Sequence, residues 1–565
     1  MLLDRIKEFH TQYSTMKCML QSSLYTPQLT ILYGAERAAQ VTPRLQALVE
    51  RYRGKIPIPF KASLSERDIF LITYADQLQT SDQAPLDTLT EFCETHLRGV
   101  VSGIHVLPFY PWSSDDGFSV KDYRAVDPAL GDWSSVERLG CSFRLVFDGV
   151  INHASVQGEW FKAFLKAEEP YRNFFLTVEG SPDLSKVVRP RTLPLLTEFH
   201  TSAGKRRVWT TFSADQADLD FHNPDVLLEI FDILLLYAQR GAHFIRLDAI
   251  AYLWKEIGTS CIHLPQTHSF VQLLRAILDD VAPHVRILTE TNVPHSDNLS
   301  YFGDGKNEAQ LVYNFALPPL VLHTFRTGNA SILTEWASRL ATPSNQTTFF
   351  NFLASHDGIG LNPVRGILTS ADIDALVKQT LAHTGLISYK QNADGTQIPY
   401  ELNINFFDAL SDPAGEEPLA TQIDRFMAAQ AIMLSLQGLP GIYFHSLFGS
   451  RNWLAGVQAT GHNRTINRQK LEQSGLEGEL SDPNALRNQV FARYRALIFR
   501  RAASNAFHPN GSQKILEMGP AVFAVQRSSP MGDSQMLCLQ NVTAQTQSVA
   551  AYTLNPFQTL WLEKF

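Results

Sequence analysis

The stretch Phe244-Ile245-Arg246-Leu247-Asp248-Ala249 decides the fold. A short apolar run ends on an arginine and an aspartate, and the helix-like segment Asp225–Gln239 precedes it. Short apolar runs of this kind read as strands buried on both faces. Counting that run as His243–Leu247, eight recur: Ile69–Thr73, Ile104–Leu107, Arg144–Phe147, His243–Leu247, Val285–Thr289, Gln310–Tyr313, Phe349–Ala354 and Gly441–Phe444. Helix-like segments such as Ser269–Asp280 lie between several of them. Eight strands alternating with helices predict an α/β fold, a closed parallel (β/α)8 TIM barrel.

The rest of the chain is placed around that barrel. Leu2, Ile6, Met16, Met19 and Leu20 sit among charges at loosely helical spacing, as do Leu45, Leu48 and Val49. Pro57 and Pro59 end the pattern, so residues 1–62 read as an N-terminal helical extension. The barrel is expected over 63–504. Two gaps exceed what a barrel loop needs, at about 155–223 after the third strand and about 358–422 after the seventh. Long insertions in a compact domain are usually functional or form subdomains. Alternating stretches Val522–Gln526 and Met536–Gln540 predict a C-terminal antiparallel β-domain over 505–565.

Composition narrows the function. The 565 residues are 44% hydrophobic and 18% charged, which describes a globular chain too long for one core. A net charge of -8 argues against nucleic acid or an anionic membrane as partner. Cys18, Cys93, Cys141, Cys261 and Cys538 are scattered, without metal-ligand spacing. Reduced thiols suit a cytoplasmic protein. No apolar run is long enough to span a bilayer, and the charged first ten residues are no signal peptide. No metal or cofactor is expected, and the protein should be a monomer or homodimer acting on small molecules.

Barrel enzymes carry their reactive groups at the C-terminal ends of the strands. Here those ends read Asp148…Asn152-His153, Arg246-Leu247-Asp248, Glu290-Thr291-Asn292 and His356-Asp357. One such acid is more often a helix cap; four around one ring converge on a cavity. Two carboxylates flanking a glycosidic bond suffice to break it. Arg246 beside Asp248 should keep that aspartate ionised, and Glu290 should titrate high near its charge.

Taken together, these four segments resemble the signature regions of glycoside hydrolase family 13, the α-amylase family. The resemblance implies Asp248 as nucleophile, Glu290 as acid/base and Asp357 as transition-state stabiliser. Leu71–Asp76, Leu107–Pro111 with Asp115–Phe118, Arg189–Arg191, Gly258–Cys261, Phe315–Pro319 and His356–Gly360 are similar to the sucrose phosphorylase subfamily. That similarity implies Asp115, Phe118, His153, Arg246, His356 and Arg464 around glucose, and Arg191 at phosphate. Tyr400 and Glu401 would stand on the acceptor side. Glu290-Thr291-Asn292 and Pro399-Tyr400-Glu401 depart from the usual sucrose phosphorylase text and resemble the glucosylglycerate phosphorylase branch. An anionic aglycone then makes Lys255, Asn292 and His295 acceptor candidates, with inorganic phosphate as co-substrate. Sucrose, sucrose 6-phosphate or glucosylglycerol phosphorolysis stays open at this point. So does an α-glucoside hydrolase or transglucosylase, and a non-catalytic relative of the barrel.

Overall fold

The apolar runs pair in parallel, each with the next, and the eighth returns to the first. In the computed structural model, which describes residues 24–59, 63–391 and 395–563, the strands are Phe70–Thr73, Gly103–Val106, Arg144–Gly149, Ala242–Leu247, Arg286–Thr289, Leu311–Tyr313, Thr348–Asn351 and Leu439–Tyr443. All eight expected runs therefore form the barrel. The seventh stops at Asn351, so His356 and Asp357 lie in the loop beyond it.

Ring packing fills the interior. Phe70 meets Phe244 edge-on at 5.0 Å and Phe350 at 6.2 Å. A Cβ at Gly103 would fall 2.2 Å from the Phe70 ring, and one at Gly441 2.3 Å from the Phe350 ring. Glycine is required at both places because phenylalanine takes the volume. Register then sets the chemistry. Asp148 stands opposite Arg246, and Arg246 opposite Leu288, so adjacent strands deliver charged ends to one mouth.

Both long gaps hold structure of their own. The first contains the helix Glu159–Leu165, the hairpin Leu196–Thr201 with Gly204–Trp209, and a short strand Gln216–Asp218 paired to His153–Ser155. The second carries a three-stranded sheet in which Gln397–Asn403 lies between Ile359–Gly360 and Leu386–Gln391. Gly360 pairs with Glu401 there, which brings Tyr400 and Glu401 beside the seventh strand's loop.

Within the N-terminal extension, residues 24–33 and Ala35–Tyr52 are helical, separated at Gly34. Leu2, Ile6, Met16, Cys18, Met19 and Leu20 lie outside the described residues. The extension packs on the helix Pro224–Gln239. Tyr52 Oη donates to Asp232 Oδ1 at 2.8 Å, Arg51 pairs with Asp232 at 3.0 Å, and Arg53 pairs with Asp280 at 2.6 Å. Among the described residues no helix is long and apolar enough to cross a membrane, and Cys93, Cys141, Cys261 and Cys538 are free thiols.

At the C-terminal end, Ser512–Glu517, Val522–Ser528, Gln535–Asn541 and Thr559–Glu563 form an antiparallel sheet. Arg527 ties it to the barrel. Its buried guanidinium donates to the carbonyls of Ser512 (3.2 Å), Ser435 (3.1 Å) and His508 (2.9 Å). Burial lowers its pKa to about 10. Replacing Arg527 by Met leaves those carbonyls buried without donors, at a cost on the order of 3 kcal/mol. A lower urea midpoint is expected for R527M with kcat per folded molecule retained; an unchanged midpoint would refute this role.

Candidate active site

A cavity of about 670 Å³ opens where the strand ends converge, and Asp248, Glu290 and Asp357 all line it. Backbone pairing seats the first two. Asp248 N–H donates to Gly149 O at 3.1 Å, and Glu290 N–H to Leu247 O at 3.2 Å. Ala249 holds a left-handed φ of 48°, a conformation a non-glycine residue rarely keeps without reason. Its N–H donates to Glu290 Oε2 at 2.9 Å, which fixes that carboxyl group.

Behind them lies Arg246, buried. Its Nη1 donates to Asp148 Oδ1 and, at 3.0 Å, to Asp248 Oδ1. Its Nη2 is 3.8 Å from Glu290 Oε2. The Phe118 and Tyr313 rings cover the guanidinium at 5.7 and 5.6 Å. His105 Nε2 bonds the other Asp148 oxygen at 2.8 Å. Burial raises the Asp148 pKa, yet Arg246 and His105 outweigh it and hold the group at about 2.

Proton distribution follows from these neighbours. Burial pushes Asp248 well above the ordinary carboxylate range, with Glu290, Asp148 and Asp357 adding to the rise and Arg246 opposing it. Burial likewise raises Glu290, again against Arg246. Both groups therefore lose their protons at higher pH than ordinary carboxylates do. The expectation that Arg246 keeps Asp248 ionised is corrected here: burial outweighs the guanidinium, which Asp148 also shares. Asp357 goes the other way. Burial would raise it, but Arg464 at 2.5 Å, His356 at 3.5 Å and Arg468 at 3.7 Å hold it far below the usual range.

Most of the other sequence candidates meet in the same cavity: Asp115, Phe118, His153, His356, Arg464, Arg191, Asn292, Tyr400 and Glu401 line it. Phe118 and His356 stack at 4.8 Å with nearly parallel rings. Burial keeps both His153 and His356 below the usual histidine pKa, so they are neutral near pH 7. The charge of Arg191 reaches Tyr252 and Tyr400, where it opposes the rise that burial causes. Asn292 packs its amide against the bare Cα of Gly360.

Three candidates stand elsewhere or do something else. Lys255 does not line the cavity; its ammonium is buried against Asp218 Oδ2 at 2.5 Å and Asn152 Oδ1 at 2.7 Å. A lysine that deep in the fold needs a carboxylate, and Asp218 supplies it. His295 turns toward Trp336, with ring centroids 5.7 Å apart. Glu401 does line the cavity, but its oxygens take Arg464 Nη2 at 2.6 Å and Nε at 3.2 Å. It therefore grips the arginine.

Sequence reasoning missed Tyr252, Phe212 and Gln216, which also line the cavity. Tyr252 follows Asp248 by four residues in a tight turn, a placement that could have flagged it. Phe212 and Gln216 come from the first insertion, whose path over the barrel has no sequence signal.

Residues 98–364 match the family model described as the alpha amylase catalytic domain. A glucosylglycerate phosphorylase of Spirochaeta thermophila is 51% identical over 91% of this chain and 88% of its own length. The chain belongs to the alpha-amylase family, in the branch of the glucosylglycerate phosphorylases. The Escherichia coli glucosylglycerate phosphorylase is 44% identical, covering 95% of this chain and 99% of the relative. A sucrose phosphorylase of Agrobacterium vitis stands further off, at 30% identity over 76% of this chain and 88% of the relative. Among solved structures, sucrose 6F-phosphate phosphorylase from Thermoanaerobacter thermosaccharolyticum superposes with a TM-score of 0.75 at 24% identity, over 89% of this chain and 100% of that one. That likeness shows the shared fold.

Because burial raises both Asp248 and Glu290, activity should follow a bell-shaped pH profile whose alkaline limb lies above the ordinary glutamate range. In Asp148→Asn the whole Arg246 charge falls on the pair, so that limb should move to lower pH. A limb that stays in place would show that Asp148 does not draw on Arg246.

Proposed function

We propose that the chain cleaves 2-O-α-D-glucosylglycerate with inorganic phosphate, giving α-D-glucose 1-phosphate and D-glycerate with retention at the anomeric carbon. The observation that carries this reading is 51% identity to a glucosylglycerate phosphorylase across 91% of the chain. The cavity supports it with three carboxylates in contrasting electrostatic settings, as two-step glucosyl transfer requires.

In the first step Asp248 attacks the anomeric carbon while Glu290 gives its proton to the departing glycerate oxygen. A covalent glucosyl ester on Asp248 results. In the second step a phosphate oxygen attacks that carbon from the opposite face, Glu290 takes its proton, and the Asp248 bond breaks. A proton has to sit on Glu290 at the start. Arg246 favours this, being 3.0 Å from Asp248 and 3.8 Å from Glu290. Asp357, held ionised by Arg464 and Arg468, accepts bonds from sugar hydroxyls and favours the positively charged ring of the transition state. Asp115, His153, His356 and Arg464 grip glucose above the Phe118 ring. Arg191 meets phosphate, and Tyr400 and Asn292 face the acceptor. A carboxylate-bearing leaving group and phosphate make the same demand for a cation, which Arg191 answers.

Incubation with phosphate and glucosylglycerate, sucrose, sucrose 6-phosphate or glucosylglycerol should release glucose 1-phosphate fastest from glucosylglycerate. Glucose appearing equally fast without phosphate would overturn phosphorolysis, and faster turnover of another donor would overturn the aglycone. Asp248→Asn should abolish both steps; substantial remaining turnover would sink its role as nucleophile. Arg191→Gln should raise the phosphate KM about 10- to 100-fold, the size of a lost charge-assisted hydrogen bond. An unchanged phosphate KM would remove Arg191 from the phosphate site.

A further inference from the structure

We propose that Lys255 is a positioning residue: through the amide of Asn152 it holds the His153 ring in place. Lys255 leaves the chain shortly after Asp248, runs behind the cavity wall and ends between two elements. One is the segment Asn152-His153; the other is the strand Gln216–Asp218 of the first insertion, where His153 pairs with Asp218.

The bonds there allow one arrangement of protons. An ammonium only donates, so the Asn152 atom 2.7 Å from Lys255 Nζ is the amide oxygen. The amide nitrogen then faces Asp218 Oδ2 at 3.1 Å, which only accepts as a carboxylate. The same nitrogen is 3.2 Å from His153 Nδ1, so that ring atom must offer its lone pair. The histidine proton is left on Nε2, which donates to Phe118 O at 2.8 Å. Gln216 Nε2 donates to the same carbonyl at 3.0 Å, and its 3.1 Å approach to His153 Nε2 is that of two donors sharing one acceptor. Asp218 is anchored independently by Thr211, whose N–H and hydroxyl donate at 2.9 and 2.6 Å. Lys255 and Asp218 together orient the amide, and the amide and the Phe118 carbonyl hold the His153 ring from its two nitrogens.

A glucose-binding ring held in one tautomer and one orientation loses little entropy when a sugar hydroxyl arrives. The same ammonium also supplies the counter-charge for Asp218. These two roles separate experimentally, because loss of folded molecules lowers kcat alone whereas a turned His153 raises the KM of the glucoside.

The proposal rests on the glucosyl transfer above for its readout, so the variants are compared on a donor that the wild type turns over with phosphate. A wild type that turns over no donor would defeat that reading and not this one. Lys255→Met leaves Asp218 without a counter-charge and should melt at lower temperature. The double variant Lys255→Met with Asp218→Asn carries no buried charge and should recover most of the melting temperature. Its glucoside KM should nevertheless stay raised by about tenfold, the equivalent of one hydrogen bond. Asn152→Ala keeps the Lys255–Asp218 pair intact and removes only the amide; it should show the same rise and serves if the double variant does not fold. A wild-type KM in either folded variant would reduce Lys255 to a counter-charge and overturn the proposal.

Discussion

One guanidinium holds the mouth of this barrel together. Arg246 contacts Asp148, Asp248 and Glu290, and the three acids come from three neighbouring strands. Without it, three carboxylates would be buried in one small volume, which no fold sustains unless protons neutralise them. With it, one positive charge is divided among three acids, and the division is unequal. Asp148 also receives His105 and becomes a permanently ionised anchor. Asp248 and Glu290 are raised by burial, and their share of the Arg246 charge does not offset it.

That arrangement depends on barrel register. Asp148 and Arg246 are aligned across adjacent strands, and Asp248 follows Arg246 by two residues on the same face. A shift of one residue would turn Arg246 toward the outer helices and break all three contacts. Phe70, Phe244 and Phe350 below, with Gly103 and Gly441 making room, fix the register by shape. Apolar packing low in the barrel therefore sets the electrostatics at its mouth.

The eight strands were legible because each is a short apolar run closed by polar residues, and a parallel barrel strand has few other ways to read. Asp248 and Glu290 were legible for the same reason, each following the last residue of its strand, whereas Asp357 lies in the loop beyond Asn351. Lys255 was misplaced because proximity in sequence to Asp248 says nothing about the direction of a four-carbon stem. Its partner Asp218 is 37 residues earlier, in an insertion whose course the sequence does not reveal. Glu401 was correctly brought to the cavity, but its bond to Arg464 joins residues from two separate loops. Phe212 and Gln216 share that difficulty. What escaped the sequence is long-range pairing between loops, where no periodicity exists to be read.

The pairing of Glu401 with Arg464 bears on how an anion enters so acidic a cavity. Asp115, Asp248, Glu290, Asp357 and Glu401 line it, against two lining arginines, Arg191 and Arg464. Arg464 has Nη1 on Asp357 and Nη2 and Nε on Glu401, so its three nitrogens are already engaged. Of its five N–H groups two are left for other partners. Among the described residues, no carboxylate lies within ion-pair distance of Arg191, the other arginine in the lining. Glu401 thus does more than balance a charge. By occupying Arg464 it leaves Arg191 as the arginine of the lining with no carboxylate partner among the described residues.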